Sequence, residues 1–138
     1  MKLLFIIFLT ITIYACPVYA GEIDKVFEIG REYGIDPFDL KAIAWVETEW
    51  TLDPLWDEGN GREYGLYCIN IKSHHLTKVQ AQDPVFATRW VCRYLNKKGY
   101  QKDRLKAIRR FNGYGKKARA YVRVVDKWAE KFKKEDKK

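Results

Sequence analysis

Apolar residues recur at helical intervals along most of the chain, and no convincing set of alternating strands accompanies them. Ile23, Val26, Phe27 and Gly30 fall on one face, which predicts a helix over about residues 22–33 that Gly34 can end. Asp36-Pro37-Phe38-Asp39 is a start signal: Asp36 caps, Pro37 suits the first helical position, and Asp39 adds negative charge to the first turn. The helix it opens runs through Leu40, Ile43, Ala44, Val46 and Glu47. Asp83-Pro84 repeats the signal before Phe86, Ala87, Trp90, Val91, Tyr94 and Leu95, a regular helical stripe. A shorter helix is predicted over about residues 102–111. A last one carries Ala118, Tyr121, Val122, Val125, Trp128, Ala129 and Phe132 on one face.

The period fails between residues 51 and 71, where Pro54, Gly59, Gly61 and Gly65 predict a loop or short hairpin. The fold class read from this is mainly α, with one irregular insertion after the second helix. Residues 21–130 form the expected domain, and residues 131–138, a run of charge, read as a solvated, fraying tail.

Residues 1–20 differ from the rest. Lys2 precedes an uncharged run from Leu3 to Ala15, short of the ~20 apolar residues of a membrane span. Val18-Tyr19-Ala20 then offers small residues at the positions a signal peptidase inspects, so cleavage after Ala20 is expected. An uncleaved anchor is one alternative, and a lipoprotein signal ending at Cys16 is another that Tyr14 fits poorly. The expected location is periplasmic or secreted, with no stable membrane span after cleavage. Removing residues 1–20 takes one lysine and no acid, so the net charge falls from +8 to +7. That balance favours anionic partners, and export argues against nucleic acid. Arg104, Lys106, Arg109, Arg110, Lys116, Lys117, Arg119 and Arg123 concentrate it late in the chain, as a solvated face or as an attraction for anionic wall polymer. Cys68 and Cys92 remain after cleavage, an even number in an oxidising compartment. They form either a disulfide or two buried thiols. His74 and His75 are adjacent, and no His or Cys spacing resembles a zinc site; neither metal nor cofactor is expected.

Glu47 is the residue with the most chemistry to explain. With Leu40, Ile43 and Ala44 it falls on the core-facing stripe of its helix, near the negative end of the helix dipole. Burial and that dipole both disfavour the ionised form, so its pKa is expected to be raised, as a general acid at neutral pH requires. The plainer alternative is a Glu at a helix edge reaching to water.

Three blocks bear on the choice. Glu47-Thr48-Glu49-Trp50 followed by Pro54 resembles the Glu-Ser-x-aromatic…Pro signature of soluble lytic transglycosylases. Gly65-Leu66-Tyr67-Cys68-Ile69-Asn70 resembles their Gly-Leu-Met-Gln-Ile-Asn signature. Phe111-Asn112-Gly113-Tyr114-Gly115, with Tyr121-Val122 after it, resembles their Tyr-Asn-x-Gly…Tyr-Val signature. The blocks keep the family's order and nearly its spacing over about residues 23–128, and the short form is most similar to members that accompany secretion or conjugation systems. The resemblance implies a lysozyme-like helical domain, related to goose-type lysozyme, with a groove for peptidoglycan strands. It implies Glu47 as the single acid that cleaves between N-acetylmuramic acid and N-acetylglucosamine and forms a 1,6-anhydro ring. Gly65, Leu66, Tyr67, Asn70, Asn112 and Tyr121 would then line or approach the substrate. Of these, Leu66 reads equally as core, Asn112 with Gly113 as a helix stop, and Tyr121 as a core position with a polar tip. Cys68 stands where the family has Gln, and Tyr67 where it has Met. A Cys68–Cys92 bridge would staple this loop to the helix after Asp83, with Cys92 expected off that helix's apolar stripe. A two-carboxylate hydrolase would need a partner for Glu47 from Glu49, Asp53, Asp57 or Glu58; on a continued helix Glu49 would point away. Two alternatives belong to different classes: a non-catalytic wall-binding or assembly factor, and a basic nucleic-acid binder, which would require retention inside the cell.

Overall fold

Local chemistry fixes most helix boundaries in the computed structural model, which describes residues 17–138. Helix α1 (Pro17–Phe27) passes into a 3-10 segment (Glu28–Tyr33), and Gly34, at φ 67°, closes it by donating to the Arg31 carbonyl at 3.2 Å. The helix expected over residues 22–33 is thus two helical types in line. α1 is continuous across the expected cleavage point after Ala20, while residues 1–16, which hold the apolar run and Cys16, lie outside the described residues.

Asp36 caps α2 (Pro37–Glu47) by accepting from the Phe38 N–H at 2.9 Å. Asp83 caps α5 (Pro84–Lys97), accepting from Val85 and Phe86 at 2.9 and 3.0 Å. Asp103 caps α6 (Arg104–Phe111) through the Lys106 N–H at 2.9 Å. Two short helices were not expected: α3 (Ile71–His74), capped by Asn70, and α4 (Lys78–Gln82), opened by a Thr77–Gln80 capping box. α7 (Gly115–Asp136) is longer than expected and takes in most of the charged tail. Phe132 packs against the core and Lys133 pairs with Asp36 at 2.8 Å, which anchors the tail as far as Lys133, while residues 134–138 are exposed, as expected of a solvated tail.

Within the insertion, β1 (Glu63–Tyr64) and β2 (Ile69–Asn70) pair antiparallel, Glu63 opposite Asn70 and Tyr64 opposite Ile69. The Gly65–Cys68 turn between them rests on α4. A Cβ on Gly65 would lie 1.8 Å from the Ala81 carbonyl oxygen, and φ there is 80°, so this position takes only glycine.

The fold is mainly α, with α2 at its centre. Leu40, Ala42, Ile43 and Ala44 are fully buried, and Val91, Leu95, Ile108 and Val125 close around them from α5, α6 and α7. Asp39 is also fully buried. Its carboxylate accepts from the Arg104 guanidinium at 2.5 and 2.6 Å and from the Tyr100 hydroxyl, and Arg104 reaches on to Asp126 at 2.7 Å. Arg104 therefore leaves the basic face on which the sequence placed it and joins α2, α6 and α7. Trp45, Trp128 and Phe132 interlock edge to face on the other side of the α2–α7 contact. Among the described residues no helix is long and apolar enough to cross a membrane.

Candidate active site

Glu47 is the last residue of α2, and the way that helix stops decides where its carboxyl goes. Thr48 ends it: its buried hydroxyl donates to the Ala44 carbonyl at 2.7 Å and accepts from the Leu52 N–H at 2.8 Å. The next turn is left-handed, with φ of 48° at Glu49, 71° at Trp50 and 56° at Leu52. Such angles are rare outside glycine and concentrate where a fold imposes a particular geometry. The reversal brings Glu49 back to the same opening as Glu47, contrary to the expectation that it points away; that expectation assumed a helix continuing past Glu47.

The opening is a cleft of about 380 Å³ between the end of α2, the β1–β2 hairpin, α3, α5 and the end of α6. Glu47, Glu49, Glu58 and Glu63 supply its charge, and His74, Trp90, Tyr94 and Phe111 supply an aromatic side. Removal from water is the largest influence on Glu47, and the Glu63 and Glu58 carboxylates add to it. The Tyr121 hydroxyl opposes both, yet the pKa is still raised from 4.5 to about 7. Burial and the Glu47 carboxylate hold the Tyr121 hydroxyl well above its usual range, so it stays protonated beside the acid. It is buried without a hydrogen bond of good geometry, so its proton remains to be offered. Burial and the Glu47, Glu58 and Glu63 carboxylates likewise push the Cys68 thiol up, and it donates to Glu58 Oε2 at 3.5 Å.

The expected site residues divide. Glu47, Tyr67, Asn70 and Asn112 line the cleft, and Tyr121 sits beside Glu47. Asn70 uses its carbonyl oxygen to cap α3, accepting from Ser73 at 3.0 Å, which turns its amide nitrogen to other partners. Asn112 is exposed at the end of α6. Tyr67 is more core than wall: it is fully buried, and its hydroxyl shares a 2.7 Å hydrogen bond with Thr88. Leu66 is core only. Gly65 is not among the residues lining the cleft; its missing Cβ allows close approach to the Ala81 backbone on α4.

The bridge between Cys68 and Cys92 is not formed; both are free thiols. Cys68 opens into the cleft among carboxylates, whereas Cys92 is fully buried in α5 with Arg93, Arg89 and Glu32 as its charged neighbours. Cys92 thus lies on the packed side of its helix, not off it, and burial pushes its thiol up to about 12. Glu63, His74, Trp90, Tyr94 and Phe111 were not foreseen in the site. Trp90 and Tyr94 were visible as part of the α5 stripe, but nothing in their spacing separates a cleft wall from a core. Among the described residues no group of His, Cys, Asp and Glu could hold a metal ion.

No protein-family model matches the chain, and no curated protein or solved structure is significantly similar to it.

Proposed function

We propose that the chain is a peptidoglycan lytic transglycosylase with Glu47 as its catalytic acid and base. The observation that carries this reading is a carboxyl at the end of α2, facing a cleft, with its pKa lifted to about 7. A carboxyl of that pKa is protonated in about half of the molecules at neutral pH and still gives the proton up to a departing oxygen. Glu47 would protonate the glycosidic oxygen between N-acetylmuramic acid and N-acetylglucosamine as that bond breaks. The carboxylate so formed would take the proton from the C6 hydroxyl, whose oxygen closes on the anomeric carbon to give the 1,6-anhydro ring. No water enters. Tyr121, protonated and alongside, would donate to the carboxylate in its ionised phase.

Glu49, Glu58 and Glu63 on the same cleft favour one second reading, a hydrolase in which one of them activates water. The masses of the products separate the two, because anhydro ends are one water lighter than hydrolysed ones. Purified wild-type protein is expected to release anhydro-muropeptides from isolated cell wall, and Glu47→Gln, which has no proton to give, is expected to lose at least about a hundredfold in rate while keeping its circular dichroism spectrum. Undiminished cleavage by Glu47→Gln would remove Glu47 from the chemistry, and hydrated ends alone would replace the transglycosylase with the hydrolase.

A further inference from the structure

The cleft does not end at its aromatic side. His74, Trp90 and Tyr94 also line a second hollow, about 280 Å³, together with Arg93 and Lys97. Two pairs on α5 produce this. Trp90 and Tyr94 are four residues apart and so are Arg93 and Lys97, so each pair occupies its own strip of the helix surface. The Trp90 and Tyr94 rings stack at 5.2 Å and 20°, and His74 meets both edge-on, at 4.8 and 5.7 Å. This makes a continuous half-buried aromatic floor between the two hollows. Lys98 stands 5.1 Å over the Tyr94 ring and adds to the charge at that end. Arg93 and Lys97 are exposed and enter no ion pair among the described residues.

Charge thus changes sign along one groove. Around Glu47 the other charged groups are Glu49, Glu58 and Glu63, which repel a free carboxylate; past Trp90 and Tyr94 the groups are Arg93 and Lys97, which attract one. An aromatic floor suits the apolar face of a sugar ring, and a guanidinium beside an ammonium suits a carboxylate, which an arginine can hold by two hydrogen bonds.

We propose that the hollow at Arg93 and Lys97 is a carboxylate-binding subsite continuous with the catalytic cleft, so that the preferred substrate is a glycan bearing anionic side groups. This rests on the reading of the cleft as a glycan site. On peptidoglycan the carboxylate has two sources: the stem peptide, or the lactyl group once the peptide has been removed.

Binding to the full chain carrying Glu47→Gln, which leaves the ligand intact, distinguishes them. The probes are a muropeptide oligosaccharide with its stem peptides, the same oligosaccharide after amidase treatment, which exposes the lactyl carboxylate, and a chito-oligosaccharide with neither. At least one carboxylate-bearing probe is expected to bind about tenfold more tightly than the chito-oligosaccharide, and the probe that does so names the source. Adding Arg93→Glu and Lys97→Glu, both at exposed positions, is expected to erase that preference and leave chito-oligosaccharide binding unchanged. The subsite is overturned if charge reversal leaves all three affinities as they were, or weakens all three equally. Wild-type cleavage of the wall together with either result sinks the subsite alone. No binding of any probe and no cleavage sinks the glycan reading and the subsite with it.

Discussion

At the scale of single residues, Glu47 is costly to the fold. Its proton is held more tightly in the native cleft, at a pKa of about 7, than in an unfolded chain near 4.5. Between those values the folded protein binds more protons than the unfolded one, so stability falls as pH rises through the window and the loss is complete above about 7. The cost at pH 8 is on the order of 2 kcal/mol, once the cleft's contact with water is allowed for. Glu47→Gln removes the titration. The variant is therefore expected to melt with the wild type at pH 4 and several degrees above it at pH 8, in parallel thermal melts across that range. Equal melting temperatures throughout would mean that the carboxyl meets water freely. On the proposed reading of Glu47 as a catalytic acid, that lost stability is the cost of holding a proton at the cleft.

At the scale of elements, the hairpin turn decides which side chains face the cleft. Gly65 lets the turn sit against α4, and Glu63, Cys68 and Asn70 follow from the β1–β2 register set there. Gly65→Ala must relieve both a left-handed φ and a contact of 1.8 Å with the Ala81 oxygen, which nothing but backbone movement can do. Its expected effect is a loss of about 3 kcal/mol or more in denaturant unfolding, with a matching loss of activity; a midpoint within error of wild type would disconnect the turn from the fold. The same element marks the boundary of what sequence discloses. Asp36-Pro37 and Asp83-Pro84 were legible because a cap satisfies N–H groups two or three residues away, a local transaction. α3 and α4 are too short to carry a period, so only their caps at Asn70 and Thr77 could have revealed them. Glu47 was legible as the last core-facing residue of a predicted helix. Glu58 and Glu63 were not distinguishable from solvated loop acids, because their approach to Glu47 depends on a two-residue strand pairing. Cys92 was misplaced because Trp90 and Tyr94 of the α5 stripe line the cleft, so the packed face of the helix is centred on Ala87, Thr88, Val91, Cys92 and Leu95 instead.

At the scale of the whole molecule, the long-range closure is ionic as well as apolar. Asp39 and Arg104 are 65 residues apart, and Arg104 Nη1 continues to Asp126, so three helices meet at one guanidinium. A single residue in the first turn of a predicted helix gave no indication of this partner. The pair lies at the start of α2, eight residues and therefore ~12 Å along the helix axis from Glu47. That distance separates stability from chemistry. Asp39→Asn keeps the volume and one acceptor oxygen but leaves the partly buried Arg104 charge with Asp126 alone. Breaking a buried pair in this way is expected to remove on the order of 3 kcal/mol from the unfolding free energy. Because the Glu47 cleft is framed by the other end of α2, kcat on cell wall well below the lowered Tm is expected to stay within about twofold of wild type, a difference under ~0.5 kcal/mol in the barrier. Urea unfolding and initial rates on the same preparation test both halves. An Asp39→Asn protein as stable as wild type would mean that the buried pair contributes no net stability, and a folded but inactive one would mean that the two ends of α2 are coupled through the helix itself.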